Sequence, residues 1–429
     1  MGRCGGLGSS RAQNLRGAVR AVPDSQDTPF RVLIAADTYP PHVNGAAASC
    51  FRLATELTAR GYEVHVVAPR GSAGPDTVEH REEATVHRLR SYAAPTHEFY
   101  RLVMPWHANR AIDTLIDILE PDVVHAQCHY MIGDAAISSA DRRRIRLICT
   151  NHFMPENLDP FIPGPQFFKN IVSKQSWFDM GRLMSRANIV TTPTALSASN
   201  MSEKAQLEYV IPVSNGIDVA KYEQRDGEDV RPHTHPTALF VGRLAVEKNV
   251  DVLLRALTFT DPQLNVHAEI IGDGEQRDYL RRLALELGVA HRVNFRGLVT
   301  DEELRQAYLR ADVFTQPCTA ELQSLASSEA MSASTPVVLA DALALPHLVN
   351  EGVNGYLFEP YNAQDMAEKL DRVLSASLQE REALGEASHR YASEHAYSRV
   401  LDVVETMYRG ATSDEVVGML SEAKLRYTR

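Results

Sequence analysis

The sequence lacks a long hydrophobic run. Its most apolar stretch, residues 337–349, is interrupted by Asp341, Pro346 and His347, and it falls short of the roughly 18 residues that a membrane-spanning helix needs. The first 28 residues are rich in Gly, Ser, Arg and Ala and lack the apolar core of a secretory signal. We therefore predict no spanning helix and interpret residues 1–28 as a disordered extension, with a transit peptide as the alternative.

Cysteine is scarce and scattered. The five cysteines are Cys4, Cys50, Cys128, Cys149 and Cys318, and no C-x-x-C pair occurs. An odd number at wide spacing excludes a disulfide framework and a zinc site, and it predicts reduced thiols in a cytoplasmic protein.

Positive charge is also in short supply. The chain has 44 Lys and Arg against 55 Asp and Glu, a net charge of −11, which argues against non-specific nucleic-acid binding. Residues 1–212 hold 22 basic and 21 acidic residues, or +1, so the remainder holds 22 and 34, or −12. The two halves of the chain are therefore expected to face different partners.

The hydrophobic pattern predicts two consecutive α/β units. Residues 30–36 read as a buried strand, residues 46–60 as a helix ending at Gly61, and residues 62–68 as the next strand. The pattern restarts near Thr237, where residues 238–241 read as a strand and residues 250–257 as a helix. Both units predict a doubly wound parallel sheet, so 429 residues make two Rossmann-like domains facing a cleft.

These patterns place the domain boundaries. We predict an N-terminal domain over residues 29–212, a C-terminal domain over residues 213–390 and C-terminal helices over residues 391–429 that pack back on the N-terminal domain. Ligands of such sheets bind in loops at the carboxyl ends of the strands, so we expect the functional residues in those loops.

Two predicted strand-to-helix loops suit a phosphate group. The loop after the first strand ends at Gly45, where a helix N-terminus offers free backbone N–H groups; an ordinary turn is the alternative. The loop after the strand at residues 238–241 carries Gly242, Arg243 and Lys248, two cations that can converge on a diphosphate. The alternative is that both cations are solvent-exposed and pair with Glu247.

A nicotinamide cofactor is disfavoured by the glycine pattern. The one G-x-G that follows a predicted strand, Gly272 to Gly274, lacks the third glycine of the dinucleotide fingerprint.

Two glutamates lie eight residues apart in a segment of small and apolar residues. We predict Glu321 in a loop and Glu329 on the following helix, facing one pocket. A buried carboxylate needs donors, and sugar hydroxyls supply them; two exposed charges are the alternative.

Together these motifs resemble the nucleotide-sugar glycosyltransferases of family 4, which have the GT-B fold. The resemblance covers residues 30–410 and rests on several motifs in order: Tyr39-Pro40-Pro41 with Asn44-Gly45, Asn215-Gly216-Ile217-Asp218, Gly242-Arg243-Leu244 with Glu247-Lys248, the Glu321/Glu329 pair, and Thr335-Pro336-Val337-Val338.

The resemblance implies roles for the donor side. It assigns the nucleotide-sugar to the C-terminal domain, with Arg243 and Lys248 on the diphosphate and Gly45 reaching it across the cleft. It implies that Glu329 binds the ribose and that the backbone at Val299 contacts the base. It also implies that Glu321 contacts the sugar and stabilises the positive charge that develops there. It also implies retention of anomeric configuration and no metal ion, in keeping with the absence of any D-x-D.

On the acceptor side the resemblance points to histidines. His125 ends a predicted strand, Gln127 stands where a second histidine is common, and the role of that histidine could pass to His129 or be absent. Residues 150–157, with His152 and Glu156, resemble diacylglycerol and related lipid glycosyltransferases. A basic patch with Lys169 and Lys174 permits contact with anionic membrane, although a solvated charged face is the common explanation.

Three residues depart from the family pattern. Ser324 and Ser334 stand where glycine is usual, and Cys318 stands where serine is usual. Added Cβ atoms beside the donor put sugar specificity in question.

The resulting prediction is a metal-independent hexosyltransferase. It uses a UDP- or GDP-sugar, needs no further cofactor, acts on a lipid or glycoside acceptor, and lies in the cytoplasm or at the inner face of a membrane. Two alternatives stay open: a nucleotide-sugar epimerase on the same fold, and a non-catalytic sugar-nucleotide-binding partner subunit.

Overall fold

The computed structural model describes residues 29–42, 44–94, 97–155, 165–225, 227–228, 230 and 233–422. The predicted N-terminal extension, Cys4 and Glu156 lie outside the described residues. The chain divides into two compact units, one of Met1–Thr191, Met201–Val210 and Val404–Val416, the other of Thr192–Asn200, Ile211–Val403 and Val417–Arg429.

The elements of the first half of the chain alternate strands with helices. The strands are β1 (Arg31–Ala35), β2 (Glu63–Pro69), β3 (Thr77–His80), β4 (Thr85–Leu89), β5 (Tyr92–Ala94), β6 (His97–Leu102), β7 (Val123–Ala126), β8 (Arg146–Thr150), β9 (Ile189–Thr192) and β10 (Ile211–Pro212). The helices are α1 (Gly45–Ala59), α2 (Pro105–Leu119), α3 (Met131–Arg143), α4 (Gln166–Met184) and α5 (Ala195–Lys204).

The second half continues in the same way. Its strands are β11 (Thr237–Val241), β12 (His267–Ile271), β13 (Val293–Gly297), β14 (Val313–Gln316), β15 (Val337–Ala340) and β16 (Gly355–Phe358). Its helices are α6 (Val219–Tyr222), α7 (Val250–Ala256), α8 (Arg277–Glu286), α9 (Asp301–Arg310), α10 (Leu325–Ser332), α11 (Ala363–Leu374), α12 (Leu378–Glu394), α13 (Tyr397–Tyr408) and α14 (Ser413–Glu422).

Each unit is built on a mainly parallel sheet. Strands of the first unit lie in the order β9-β8-β7-β1-β2-β4-β3, in which only the β3–β4 pair is antiparallel among the pairs formed. Strands of the second unit lie in the order β13-β12-β11-β14-β15-β16, all parallel. The central strands are mostly apolar and buried, because helices cover both faces of such sheets.

The C-terminal part of α13 belongs to the first unit, which includes Val404–Val416. The buried guanidinium of Arg146 on β8 donates to the carbonyl oxygens of Met407, at 3.0 Å, and Ala411. A cation at the C-terminal end of a helix satisfies carbonyl groups that have no partner within the helix. Burial lowers the pKa of Arg146 to about 10, so the side chain stays charged near neutral pH.

Candidate active site

In the second unit, the order of the strands reverses between β11 and β14. β11 pairs with β12 on one side and with β14 on the other, and ligands of open α/β sheets bind at the carboxyl ends of the strands at this reversal. The loop after β11 carries Gly242, Arg243 and Lys248, and the loop after β14 carries Glu321. The two loops predicted for the donor are therefore neighbours.

Glycines allow the loop after β11 to pack on the loop after β12. A Cβ at Gly272 would stand 1.9 Å from the carbonyl oxygen of Gly242, and one at Gly274 would stand 2.5 Å from that of Leu244. The Leu244 N–H donates to the Asp273 carbonyl at 2.9 Å. The Gly-x-Gly after β12 thus has a packing role, which fixes the loop that carries Arg243.

Both cations of this loop are paired with carboxylates. Arg243 donates to Glu247 at 2.6 Å, with both side chains about one-third exposed. The Lys248 ammonium donates to Glu321, and these side chains are only 18% and 15% exposed. Burial acts against the Lys248 ammonium, but the carboxylate of Glu321 outweighs it and raises the pKa of Lys248.

The two glutamates predicted to share a pocket have different partners. Glu321 lies in a bend and contacts Lys248, whereas Glu329 lies on α10 and accepts a hydrogen bond from the buried Tyr308 hydroxyl at 2.8 Å. Burial and the nearby carboxylate raise the pKa of Tyr308, so the phenol stays a donor. Both carboxylates are partly buried. The alternative interpretation of Glu321 and Glu329 as two exposed surface charges is therefore excluded.

Sequence reasoning missed the residues that hold these loops together. The Asn249 amide donates to the carbonyl oxygens of Glu247 and Pro317 at 3.3 and 3.2 Å and to the Thr319 hydroxyl at 3.1 Å. The Gln323 amide joins the Glu321 loop to the Asn215 segment, because it donates to Ser214 and accepts from the Asn215 N–H, both at 2.8 Å. Asn249 directly follows Glu247-Lys248 in the sequence, but its partners Pro317 and Thr319 are about 70 residues away along the chain.

The structure shows the surroundings of the three residues that depart from the family pattern. Ser324 caps α10, where its hydroxyl accepts from the Ser327 N–H at 3.3 Å. Ser334 has a φ of +59°, a conformation that favours glycine. Cys318 is fully buried, and burial raises the pKa of its thiol to about 12, so the thiol is neutral.

Val299 lies in the short turn between β13 and α9. It is half-buried against the apolar core of the second unit, and the neighbouring Leu298 is 75% exposed. Among the described residues, no hydrogen bond or ion pair joins Val299 to the Lys248–Glu321 pair, so its predicted contact with a base stays a prediction.

In the first unit, the strand order reverses between β1 and β7. β1 pairs with β2 on one side and with β7 on the other. Gly45 begins α1 after the β1 loop, and Asn44 caps that helix by accepting from the Ala47 N–H at 2.9 Å. Gly45 is exposed, and a Cβ there would meet no atom within 4 Å. Space is therefore open at the N-terminus of α1.

His125 is a buried link within the first unit. Its Nδ1 lies 2.6 Å from the Tyr408 hydroxyl of α13, and its Nε2 lies 2.7 Å from the Thr150 hydroxyl of β8. Burial, with a smaller effect of His152, lowers the pKa of His125 to about 3. Both ring nitrogens of this neutral side chain are occupied by protein partners.

Gln127 connects two of the predicted histidines. Its Nε2 lies 3.2 Å from His125 Nε2, and its Oε1 lies 2.5 Å from His152 Nε2. His152 is half-buried, and burial lowers its pKa to about 4. Gln127, at the position of the family's second histidine, thus orients His152.

His129 differs from the other histidines. It is 3% exposed, its ring lies 4.1 Å from that of Tyr130, and neither ring nitrogen has a hydrogen-bond partner among the described residues. Burial lowers its pKa to about 4. A neutral imidazole with two unsatisfied nitrogens is costly to bury, which makes His129 the acceptor-side histidine with hydrogen-bonding capacity to spare.

Within the described ranges, no group of three or more His, Cys, Asp and Glu residues is placed to hold a metal ion. Nor does any helix in those ranges have the length and apolarity to cross a membrane.

Comparisons with known proteins agree with this geometry. The model of Glycosyltransferase Family 4 matches residues 43–221, and that of Glycosyl transferases group 1 matches residues 222–391. The alpha-monoglucosyldiacylglycerol synthase of Streptococcus pneumoniae is 25% identical over 390 residues, covering 86% of this chain and 84% of that protein. The GDP-mannose-dependent alpha-mannosyltransferase of Corynebacterium glutamicum is 24% identical over 337 residues, covering 77% of each.

A solved structure shares the fold. Anabaena Alr3699/HepE in complex with UDP and glucose superposes with a TM-score of 0.68 at 20% identity, covering 88% of this chain and 99% of that one. Two parallel-sheet units with loops at the strand ends are the architecture of the GT-B fold. The chain belongs to glycosyltransferase family 4.

Proposed function

We propose that this glycosyltransferase moves a hexose from a UDP- or GDP-sugar to a hydroxyl group of a lipid or glycoside, with retention of anomeric configuration and without a metal ion or other cofactor. The observation that carries the proposal is the Lys248–Glu321 pair at the strand-order reversal of the second unit. A cation and a carboxylate side by side suit a diphosphate joined to a sugar.

The two cations act on the leaving group. As the glycosidic bond to the diphosphate breaks, negative charge grows on the phosphate oxygens and positive charge grows on the sugar. Arg243 and Lys248 neutralise the negative charge on the phosphate oxygens, as cationic side chains do in other phosphate sites. When the donor binds, its phosphate replaces Glu321 as the partner of Lys248, and the Glu321 carboxylate becomes available to the sugar.

The remaining donor contacts are proposed from the resemblance to family 4. Glu329 accepts from the ribose with the oxygen that Tyr308 leaves free. Gly242 permits close approach of the diphosphate, the backbone at Val299 meets the base, and Gly45 supplies an N–H group at the open start of α1.

The acceptor is proposed to bind to the first unit. His129 contacts the acceptor hydroxyl through an unsatisfied ring nitrogen, and His152 lines the acceptor side. Glu156, which lies outside the described residues, stays an acceptor-side candidate from the sequence alone. The similarity to an alpha-monoglucosyldiacylglycerol synthase supports a lipid acceptor. Such an acceptor places the enzyme in the cytoplasm, in peripheral contact with the inner face of an anionic membrane.

The test is transfer from a panel of UDP- and GDP-sugars to diacylglycerol and glycoside acceptors in the presence of EDTA, with the product anomer assigned by NMR. We expect an α-linked product from an α-linked donor, and a loss of roughly 100-fold or more in kcat for Glu321→Ala. An inverted product contradicts retention. Epimerised donor without acceptor identifies an epimerase, and tight donor binding without turnover identifies a partner subunit.

A further inference from the structure

Tyr361 lies in the loop after β16 in a backbone conformation that an L-residue rarely adopts. Its φ is +66°, and the residue is 67% exposed. Glycine or asparagine is favoured at such a position, because the Cβ of a larger residue is crowded by its own backbone there. Residues held in this conformation cluster at functional sites, where the surrounding structure imposes it. Neither burial nor backbone preference therefore explains why a large aromatic residue occupies this position.

The hydroxyl group of Tyr361 reaches the loop that carries Glu321. It lies 3.1 Å from the Thr319 hydroxyl, which is the one hydrogen-bond partner of the Tyr361 side chain among the described residues. Thr319 follows β14, two residues before Glu321. In the sheet, β15 separates β14 from β16, so these two strands are about 10 Å apart. A long side chain with a polar end suits that span, whereas glycine and asparagine are too short.

Thr319 joins three loops at the carboxyl ends of the strands. Its backbone N–H donates to the Glu247 carbonyl at 3.3 Å, and its hydroxyl accepts from the Asn249 amide at 3.1 Å. Both partners belong to the loop after β11, and Tyr361 adds the loop after β16. Residues 317–324, all within the described ranges, form neither a helix nor a strand. The position of this segment therefore depends on such contacts.

The Lys248–Glu321 pair is the contact of this segment that changes in the proposed reaction. The donor phosphate takes the place of Glu321 beside Lys248, so the carboxylate loses its ion-pair partner. The segment is then held by Gln323 on one side of Glu321 and by Thr319 on the other. Loss of the contact at Thr319 should therefore affect the donor-bound enzyme more than the free enzyme.

We infer that Tyr361 is a positioning residue of the glycosyl transfer reaction: its hydroxyl holds Thr319, and through Thr319 it holds the Glu321 carboxylate against the donor sugar. The inference rests on the proposed function and adds to it a residue outside the two donor loops. A carboxylate displaced by about 1 Å loses much of its effect on the transition state. Tyr361 thus contributes to the chemical step although it does not touch the donor.

The first test compares kcat and nucleotide affinity in Tyr361→Phe. We expect kcat to fall roughly three- to tenfold, the effect of one neutral hydrogen bond, while the dissociation constant of UDP or GDP stays within about twofold of the wild type. Tyr279→Phe is the matched control. Tyr279 lies on α8 of the same unit, is 40% exposed and has no hydrogen bond to a described residue, so this variant should have the wild-type kcat.

A double-mutant cycle in kcat separates positioning from a general effect on the fold. Thr319→Val removes the hydroxyl that Tyr361 contacts, so Tyr361→Phe should have no further effect in that background. Thr319→Ser keeps a hydroxyl and should retain most of the wild-type kcat. Equal losses from Tyr361→Phe in the wild-type and Thr319→Val backgrounds would overturn the inference, as would a wild-type kcat in Tyr361→Phe.

Tyr361→Gly separates the side chain from the backbone conformation. Glycine adopts a φ of +66° without a steric penalty, so this variant should be at least as stable as the wild type in urea unfolding. It lacks the hydroxyl and should lose kcat as Tyr361→Phe does. Reduced stability of both variants with a wild-type kcat would assign Tyr361 a structural role and overturn the inference.

Hydrogen–deuterium exchange separates this inference from the proposed function, because it needs no transfer activity. With UDP or GDP bound, we expect the amides of residues 318–324 to exchange faster in Tyr361→Phe than in the wild type, and not in Tyr279→Phe. Wild-type transfer with an unchanged kcat in Tyr361→Phe rejects the inference alone. A wild type that transfers no sugar rejects the proposed function; faster exchange in Tyr361→Phe then supports the hold on this segment, and unchanged exchange rejects it.

Discussion

At the scale of single residues, the first unit buries a carboxyl group at high cost. Asp37 follows β1, and one of its oxygens accepts from the Ile132 N–H at the start of α3, at 2.9 Å. Its other oxygen has no hydrogen-bond partner among the described residues. Burial raises the pKa of Asp37 to about 6, although the backbone N–H groups of α3 act against it.

This raised pKa predicts the sign of a pH effect on stability. Between the unfolded value of about 3.9 and the folded value near 6, the folded state holds a proton that the unfolded state has released. Stability from this group is therefore present at low pH and declines as the pH rises through 6. At neutral pH the cost is about 3 kcal/mol.

We expect Asp37→Asn to stabilise the first unit at pH 7 and to remove this decline, because the amide oxygen still accepts from Ile132. Urea unfolding of the wild type and the variant from pH 4 to pH 7 measures both effects. A difference between the two proteins that does not change with pH would contradict the account.

Ser334 stores strain in the second unit. Its φ of +59° costs an L-residue roughly 1 kcal/mol relative to glycine. We expect Ser334→Gly to raise the free energy of unfolding by up to about 1 kcal/mol, measured by urea unfolding. Ser332→Gly, within α10, is the matched control and should destabilise by a similar amount, because glycine weakens a helix. Destabilisation by Ser334→Gly would show that its hydroxyl outweighs the strain.

At the scale of elements, the candidate site depends on Asn249, which joins the loops after β11 and β14. It has a φ of +50° and donates to both loops. Asn249→Gly preserves the backbone conformation and removes the amide. We expect it to weaken donor binding about tenfold, since Lys248 and Glu321 are no longer held in register, and isothermal titration calorimetry with UDP- and GDP-sugars measures the change.

Asn265→Gly is the control for this prediction. Asn265 also lies in the second unit with a φ of +49°, and its side-chain amide nitrogen lies 3.3 Å from Nδ1 of His235. Equal donor affinity in Asn249→Gly and the wild type would show that the Asn249 amide does not contribute to donor binding.

Local patterns were sufficient to predict much of the fold but less of the site. The alternation of buried strands and amphipathic helices predicted β1, α1 and β2 to within a residue or two, because hydrophobic periodicity is a local signal. The β3–β4 pair escaped prediction, since β3 is mostly exposed and has no alternating pattern.

Prediction of the candidate site from the sequence is limited in the same way. Arg243 and Lys248 were predicted from their loop, and Glu321 from its spacing to Glu329. Their pairing was not, because the ion pair joins residues 73 positions apart and only the strand order makes them neighbours. The buried links from His125 to Tyr408 and Thr150 likewise depend on tertiary packing rather than on local sequence.

At the scale of the whole molecule, the charge asymmetry of the sequence matches the two proposed partners. The acidic half contains the donor loops, where each candidate cation is already compensated by a glutamate. The near-neutral half contains α4, on which Phe167, Ile171 and Phe178 are exposed. The proposed function accordingly assigns the anionic donor to the second unit and the acceptor to the first.

The most direct test of the central claim is the donor dissociation constant of Lys248→Ala, measured by isothermal titration calorimetry beside the wild type and Lys369→Ala. Lys369 is a matched control, a partly buried lysine of the same unit that is 3.6 Å from Asp365 on α11. We predict that Lys248→Ala weakens binding of the UDP- or GDP-sugar by roughly 10- to 100-fold, the effect of one charged hydrogen bond, while Lys369→Ala binds like the wild type. Donor affinity unchanged in Lys248→Ala would contradict the assignment of the diphosphate to this site.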